Sequence, residues 1–174
     1  MILESKTIRL RLVEEADAEF ILSLRLDNRY NQFLSLVDSN LAGQISWIRS
    51  YKLEEKEKKQ YYFVIERLDG VRCGTIRVYD LKLDSFCWGS WILNENKTRY
   101  SALESAFLIY QFGFEILGYN KSHFDVMKEN KSVISFHKKM GANIVREDSI
   151  NFYFEILKET VESTRKQIKE KFKL

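Results

Sequence analysis

Two spacings of apolar residues alternate along this chain, one strand-like and one helical, and their order outlines the fold. Ile8-Arg9-Leu10-Arg11-Leu12 alternates strictly and predicts a strand with one face on a core. Glu14, Glu15 and Asp17 then precede Phe20, Ile21 and Leu24, an acidic first turn ahead of an apolar helical stripe. Asp38-Ser39-Asn40 offers N-cap residues to a second helix carrying Leu41, Ile45 and Ile48 on one face. That helix is expected to run out in the charged stretch from Lys52 to Lys59, which suits a solvated end.

A strand-rich block follows. Tyr61–Glu66 and Val71–Leu81 flank Leu68-Asp69-Gly70, and Asp-Gly between two such runs signals a hairpin. Asp84 marks a turn before a strand from Phe86 to Leu93. A helix is predicted from Arg99 to Leu117, with Leu103, Phe107, Tyr110, Phe114 and Leu117 as its core stripe. A strand (Ser122–Met127) leads to a helix (Lys131–Met140) with Asn130 as N-cap, Val133, Phe136 and Met140 on one face, and Gly141 at the left-handed C′ position. Strands at Asn143–Arg146 and Ile150–Glu155 complete the series. No linker or repeat interrupts it. One domain is expected over residues 1–156, followed by a basic C-terminal helix over 157–174. The pattern fits an α/β (α+β) class, a mixed sheet with helices on both faces.

Composition narrows the function classes. With 174 residues, 45% hydrophobic and 14% aromatic, the chain can bury a real core, and global disorder is excluded. No apolar run reaches the length of a membrane span, and Glu4, Lys6 and Arg9 stand where a signal peptide would be apolar, so a cytoplasmic location is expected. Cys73 and Cys87 read as buried strand residues. Two histidines in all argue against a histidine-built metal site, and no metal is expected. The net charge is +3. From Leu157 onward six basic residues stand against three acidic, so this tail carries the excess and the body is near neutral. Neither a nucleic-acid partner nor a membrane span is expected.

The candidate chemistry lies between Trp88 and Ala142. An aromatic strand enters the polar turn Asn94-Glu95-Asn96-Lys97-Thr98-Arg99-Tyr100-Ser101, which opens a long helix. Unpaired amides and the helix dipole make such a junction an anion site. Gly74-Thr75-Ile76-Arg77, the strand Gly89–Leu93, the turn into Ala102-Leu103-Glu104 and the block Asn130–Ala142 together resemble the GNAT superfamily of acetyl-CoA-dependent N-acyltransferases. The order of elements from Ile8 to Glu155 is similar too, and the block Asn130–Ala142 is the most specific part. The resemblance implies a mixed, mostly antiparallel sheet of about seven strands, with acetyl-CoA as co-substrate. It implies that Ile92 and Leu93 pair with the pantetheine arm, that Lys97, Thr98, Arg99, Tyr100, Ser101 and Ala102 cradle the pyrophosphate, and that Asn130 and Phe136 contact the cofactor.

Two residue choices depart from the family's pattern. Thr98 and Tyr100 occupy places where the family usually has glycine; amides there remain usable if the turn is right-handed throughout. His137 stands where many members carry the tyrosine that protonates the departing thiolate. Imidazole, with an ordinary pKa of about 6.5, is a candidate for that acid; the alternative is a packed ring with no chemistry. The implied reaction is direct attack of a neutral amine on the thioester. A backbone N–H near Ile92 and Leu93, assigned to Leu93, serves as oxyanion donor. His123, Asp125, Glu95 or water is the base.

The segment Leu24–Phe33 is similar to its counterpart in GNAT enzymes that acetylate nucleotide-linked amino sugars for surface polysaccharides, and less closely to those acting on ribosomal-protein N-termini. Arg25 suits a phosphate or carboxylate, and Asn31 and Gln32 suit hydroxyls; alternatively Arg25 and Asp27 tie down a helix end. The expected function is thus N-acetylation of a small amine, an amino sugar carried by a nucleotide. The alternatives are a protein N-terminal acetyltransferase and a non-catalytic module with a degraded CoA site. The aromatic strands leave a homodimer open.

Overall fold

A computed structural model describes residues 1–172, with side chains to residue 168. Its elements are β1 (Ile2–Glu4), β2 (Ile8–Leu12), α1 (Ala18–Leu26), α2 (Leu41–Lys56), β3 (Tyr61–Arg67), β4 (Arg72–Tyr79), β5 (Ser85–Leu93), α3 (Ser101–Gln111), β6 (Lys121–Met127), α4 (Lys131–Lys139), β7 (Asn143–Glu147), β8 (Asn151–Leu157) and α5 (Lys158–Phe172). The strands form one sheet in the order β1-β2-β3-β4-β5-β6-β8-β7. Every pair is antiparallel except β5 with β6. Eight strands are present where about seven are expected. The extra one, β1, has three residues of which only Leu3 is buried, too short to show an alternation.

The sheet is covered on both faces, and β3 shows why its sequence is continuously apolar. Tyr61, Phe63 and Ile65 point into the larger core with α3 and α5, while Tyr62 and Val64 point into a smaller one with α1 and α2. At the entry to α1, Asp17 is buried and takes both terminal nitrogens of Arg11 at 2.8 Å, with Arg72 at 3.3 Å. Burial alone would raise its carboxyl pKa; the bonds from Arg11 and the amide of Glu14 reverse this and hold it below the usual range.

Two local details differ from expectation. The helix predicted to reach Leu117 ends as α-helix at Gln111 and widens into a π turn over Phe112–Ile116. Gly113 lies in that turn, and the Phe86 ring occupies the space a Cβ would need. A bare backbone is therefore required there. The C-terminal helix packs on the same body: Val161 joins the larger core, Thr164 Oγ1 donates to the Met140 carbonyl at 3.1 Å, and the Arg165 guanidinium lies over Phe107. Residues 173–174 of the expected 157–174 helix lie outside the described residues, as do the side chains from 169 onward.

Candidate active site

Strands β5 and β6 pair only at Ser85↔Lys121, Phe86↔Ser122 and Cys87↔His123. Beyond that point β6 follows β8, pairing from Lys121↔Leu157 to Met127↔Asn151, and a wedge opens beside β5. Trp88 and Phe124, with centroids 5.9 Å apart, stand where it opens. On its other side β5 pairs with β4 through a bulge: Thr75↔Ile92 is followed by Arg77↔Gly89, so β5 spends one more residue than β4. Ser90, at φ 46°, absorbs the misfit. The Asn94 amide donates to the Cys73 carbonyl at 2.9 Å. Because neighbouring residues alternate sides in an antiparallel ladder, the amide and carbonyl of Leu93 face the wedge. The wedge therefore exposes a strand edge that an extended amide can join.

The turn after β5 is tied down from inside. The Thr98 amide donates to Ser101 Oγ at 2.8 Å, and the two hydroxyls lie 2.9 Å apart. Thr98 Oγ1 also meets Thr7 Oγ1 at 2.6 Å, and Thr7 donates to Glu104 at 2.5 Å. The hydroxyls of Thr98 and Ser101, expected to face a phosphate, thus hold the turn to the start of β2. Asn96 and Lys97 donate to the side chain and carbonyl of Asn94. Among the described residues, the amides of Arg99, Tyr100, Ala102 and Leu103 have no intramolecular acceptor. They flank the first turn of α3, at the positive end of its dipole. Thr98 and Tyr100 both keep negative φ, so this turn does not require glycine. Lys97 and Arg99 are exposed beside it.

Helix α4 closes the wedge. Asn130 caps it, its Oδ1 accepting from the Val133 amide at 3.3 Å. Phe136 packs 5.0 Å from Trp91. His137 is only 4% exposed, its ring 4.1 Å from Phe124 and 5.2 Å from Trp88, and its Nδ1 is buried with no hydrogen-bond partner. Burial pulls its pKa down to about 3. An imidazolium acid, as expected from the sequence, is therefore not the resting state near neutral pH; the ring is neutral, with one N–H to donate. A cavity of about 440 Å³ runs along the wedge between Asn130, Val133 and His137 on one side and Arg25, Tyr30 and Ser35 on the other. A second, of about 350 Å³, lies between α1, α2 and the sheet, and shares Arg25, Ser35 and Ser90 with the first.

Residues 7–143 match the family model of the acetyltransferase (GNAT) domain. The chain belongs to the GNAT family. It is an acyl-CoA-dependent acetyltransferase, and domains of this family use acetyl-CoA as co-substrate. Among solved structures it is similar to one described as apo FdhC, a nucleotide-linked sugar GNAT, with 47% identity, a TM-score of 0.89, and 97% of this chain and 96% of that one covered. A ribosomal-protein-S5-alanine acetyltransferase from Vibrio fischeri shares the fold at 12% identity, with a TM-score of 0.78 over 91% of this chain and 97% of that one. No curated protein matches.

In this GNAT domain the free strand edge at Leu93 and the unpaired amides at the start of α3 suit the amide groups and phosphates of CoA. Several residues singled out from the sequence stand elsewhere. Asn31 donates to the Arg25 carbonyl at 3.3 Å, Gln32 is exposed, and neither lines the two cavities. Their place is taken by Tyr30, Phe33, Leu34 and Ser35. Asp27 binds Arg29, whereas Arg25 Nη2 donates to the carbonyl and hydroxyl of Ser35, both at 2.8 Å. Of the candidate bases, His123 has both ring nitrogens engaged, with Ser85 Oγ at 2.8 Å and Asp80 at 2.9 Å. Glu95 accepts from the Tyr30 hydroxyl at 2.6 Å; Asp125 lines the wedge. Trp47 and Arg77, both on the second cavity, have no site role in the sequence reading, where Arg77 enters only through the Gly74–Arg77 motif. The one available signal was a cation inside an otherwise apolar strand, Ile76-Arg77-Val78.

Proposed function

We propose that this GNAT acetyltransferase transfers the acetyl group of acetyl-CoA to the primary amine of a nucleotide-linked amino sugar. The observation that carries this reading is the 47% identity, over nearly the whole of both chains, to a structure described as a nucleotide-linked sugar GNAT. The cavity beside the wedge is consistent with it, since a ligand seated there reaches the wedge past Arg25 and Ser90.

The bound co-substrate supplies an acyl group activated as a thioester. The Leu93 carbonyl would accept from its pantetheine arm, and Ile92 lies beside it in the strand. The amides of Arg99, Tyr100, Ala102 and Leu103, with the Lys97 and Arg99 side chains, would hold the pyrophosphate, and Asn130 and Phe136 would border the arm. The Leu93 amide would donate to the oxyanion as the amine attacks, a fixed donor that needs no reorganisation. Neutral His137 would donate a hydrogen bond to the leaving sulfur, which departs as a thiolate and takes up the proton lost by the attacking nitrogen. Asp125, the candidate base that lines the wedge, takes the ammonium proton directly or through water.

The test is an acceptor screen at saturating acetyl-CoA that follows free-thiol release. Amino sugars linked to UDP or dTDP, the free amino sugars, spermidine, and peptides beginning with Ala or Ser are compared. Nucleotide-linked sugars are expected to exceed the free sugars at least a hundredfold in kcat/KM. Turnover of peptides or spermidine with none on any nucleotide-linked sugar overturns the reading.

A further inference from the structure

We infer that Arg25 and Arg77 form a two-arginine clamp for the diphosphate of the acceptor, in the cavity between α1, α2 and the sheet. This rests on the reading of the acceptor as a nucleotide-linked sugar and assigns the part of it that the protein grips.

The argument begins with ion pairing. Six other arginines of the chain lie within ion-pair distance of a carboxylate, among them Arg11 with Asp17 and Arg49 with Glu15. Arg25 and Arg77 are half-buried, and neither has such a partner among the described residues. They come from different elements, α1 and β4, yet line one cavity of about 350 Å³. Asp38, on the rim of the same cavity, is exposed and beyond ion-pair distance of both. Two cations without a direct carboxylate partner in a half-buried pocket, Glu54 reaching Arg77 only through Gln60, are unfavourable in the free protein, and an anion placed beside them relieves the cost. Burial lowers the Arg77 pKa; Tyr62, Tyr79 and Glu54 oppose this, and the charge of Arg25 adds to it.

The guanidinium groups are also preorganised. Arg77 lies 5.5 Å from the Trp47 ring and 5.0 Å from that of Tyr79, and its Nε donates to Gln60 at 2.5 Å. Its terminal nitrogens remain for a ligand. Arg25 is held at Nη2 by Ser35, while its Nε is buried without an acceptor. Arg77 thus presents its two terminal nitrogens as a planar fork and Arg25 its Nη1, and guanidinium groups fixed in this way match phosphate oxygens. Two cations contributed to one cavity by different elements suit a diphosphate better than a single phosphate. Trp47, 40% exposed, and Leu36 add the apolar wall that a nucleoside needs. Because Arg25 and Ser90 belong to both cavities, a sugar attached to a diphosphate held there extends into the wedge.

The experiment is calorimetric titration of the full chain with CoA present at saturation, so that the cofactor site is filled. The probes are UDP, dTDP, UMP, uridine and inorganic pyrophosphate. Both nucleoside diphosphates are expected to bind at least tenfold tighter than UMP, with binding weakened by salt, and uridine to give no measurable binding. Arg25→Gln and Arg77→Gln are each expected to weaken UDP at least tenfold, with CoA affinity unchanged as the check on folding. Arg77→Lys, which keeps the charge and loses the fork, is expected to recover only part of the affinity. Uridine binding as tightly as UDP overturns the clamp, as does wild-type UDP affinity in both glutamine variants. Should either glutamine variant fail to fold, the wild-type series from UDP to uridine still decides. If nucleotide-linked sugars are acetylated equally by wild type and both variants, the clamp falls and the proposed function stands. If no nucleoside diphosphate binds and a peptide or polyamine is the acceptor, both fall.

Discussion

At His137 the behaviour of the side chain is decided by solvation. Its ring neighbours are Trp88, Phe124, Phe136 and Phe154, none of which titrates in the accessible range or offsets a cation. A pKa of about 3 in the folded state, against 6.5 when solvated, means that the unfolded chain binds a proton first as pH falls. Stability is complete above pH 6.5 and declines below it, by about 2 kcal/mol at pH 5 from this residue alone. His137→Phe keeps the ring volume and is expected to flatten the slope between pH 7 and 5 in urea unfolding. An unchanged slope would show that the ring is not held neutral. The same variant separates packing from chemistry: loss of an N–H near the sulfur should lower kcat by roughly tenfold at saturating acetyl-CoA. Full kcat would remove His137 from the reaction.

Among the elements, the helix after the turn shows how one contact overrides a period. The apolar stripe from Leu103 to Leu117 has helical spacing, yet the segment widens at Phe112–Ile116 to let Phe86 sit against Gly113. Gly113→Ala should therefore destabilise the fold by about 2 kcal/mol despite alanine's better helix propensity, since the methyl has no room. Combining it with Phe86→Leu should recover part of the loss, and denaturant midpoints of the two single variants and the double provide the cycle. Strict additivity would mean that the two residues do not share the space. The turn before α3 carries the same lesson. Its hydroxyls looked like ligand contacts, but Thr7, 91 residues away from Thr98, recruits them into the scaffold.

For the whole molecule, acetyl-CoA bound as proposed would span the wedge, the turn and α4, so its natural readout is global stability. At a hundred times the dissociation constant, a ligand specific to the native state adds about 2.7 kcal/mol. For a domain of this size that corresponds to a rise in Tm of roughly 5–10 °C. A thermal scan with millimolar acetyl-CoA measures it. No shift would overturn the cofactor contacts proposed for the wedge and the turn. The element order read from the sequence is borne out by the sheet, and the GNAT resemblance carried by its motifs by the family match over residues 7–143. Among the described strands, β1, with a single buried residue, escapes that reading.

The sequence by itself determined what depends on near neighbours. Helical and alternating periods, the Asp69-Gly70 hairpin with Gly70 at φ 87°, the Asn130 cap and the left-handed Gly141 at φ 94° are each set within a few residues of chain. The tertiary structure alone decided the parting of β5 from β6, the bulge at Ser90, the neutral state of His137 and the meeting of Arg25 with Arg77. Each of these is a relation between distant segments: a register, a dielectric environment or an unbalanced charge. Such quantities arise only when folding removes water and brings those segments into contact.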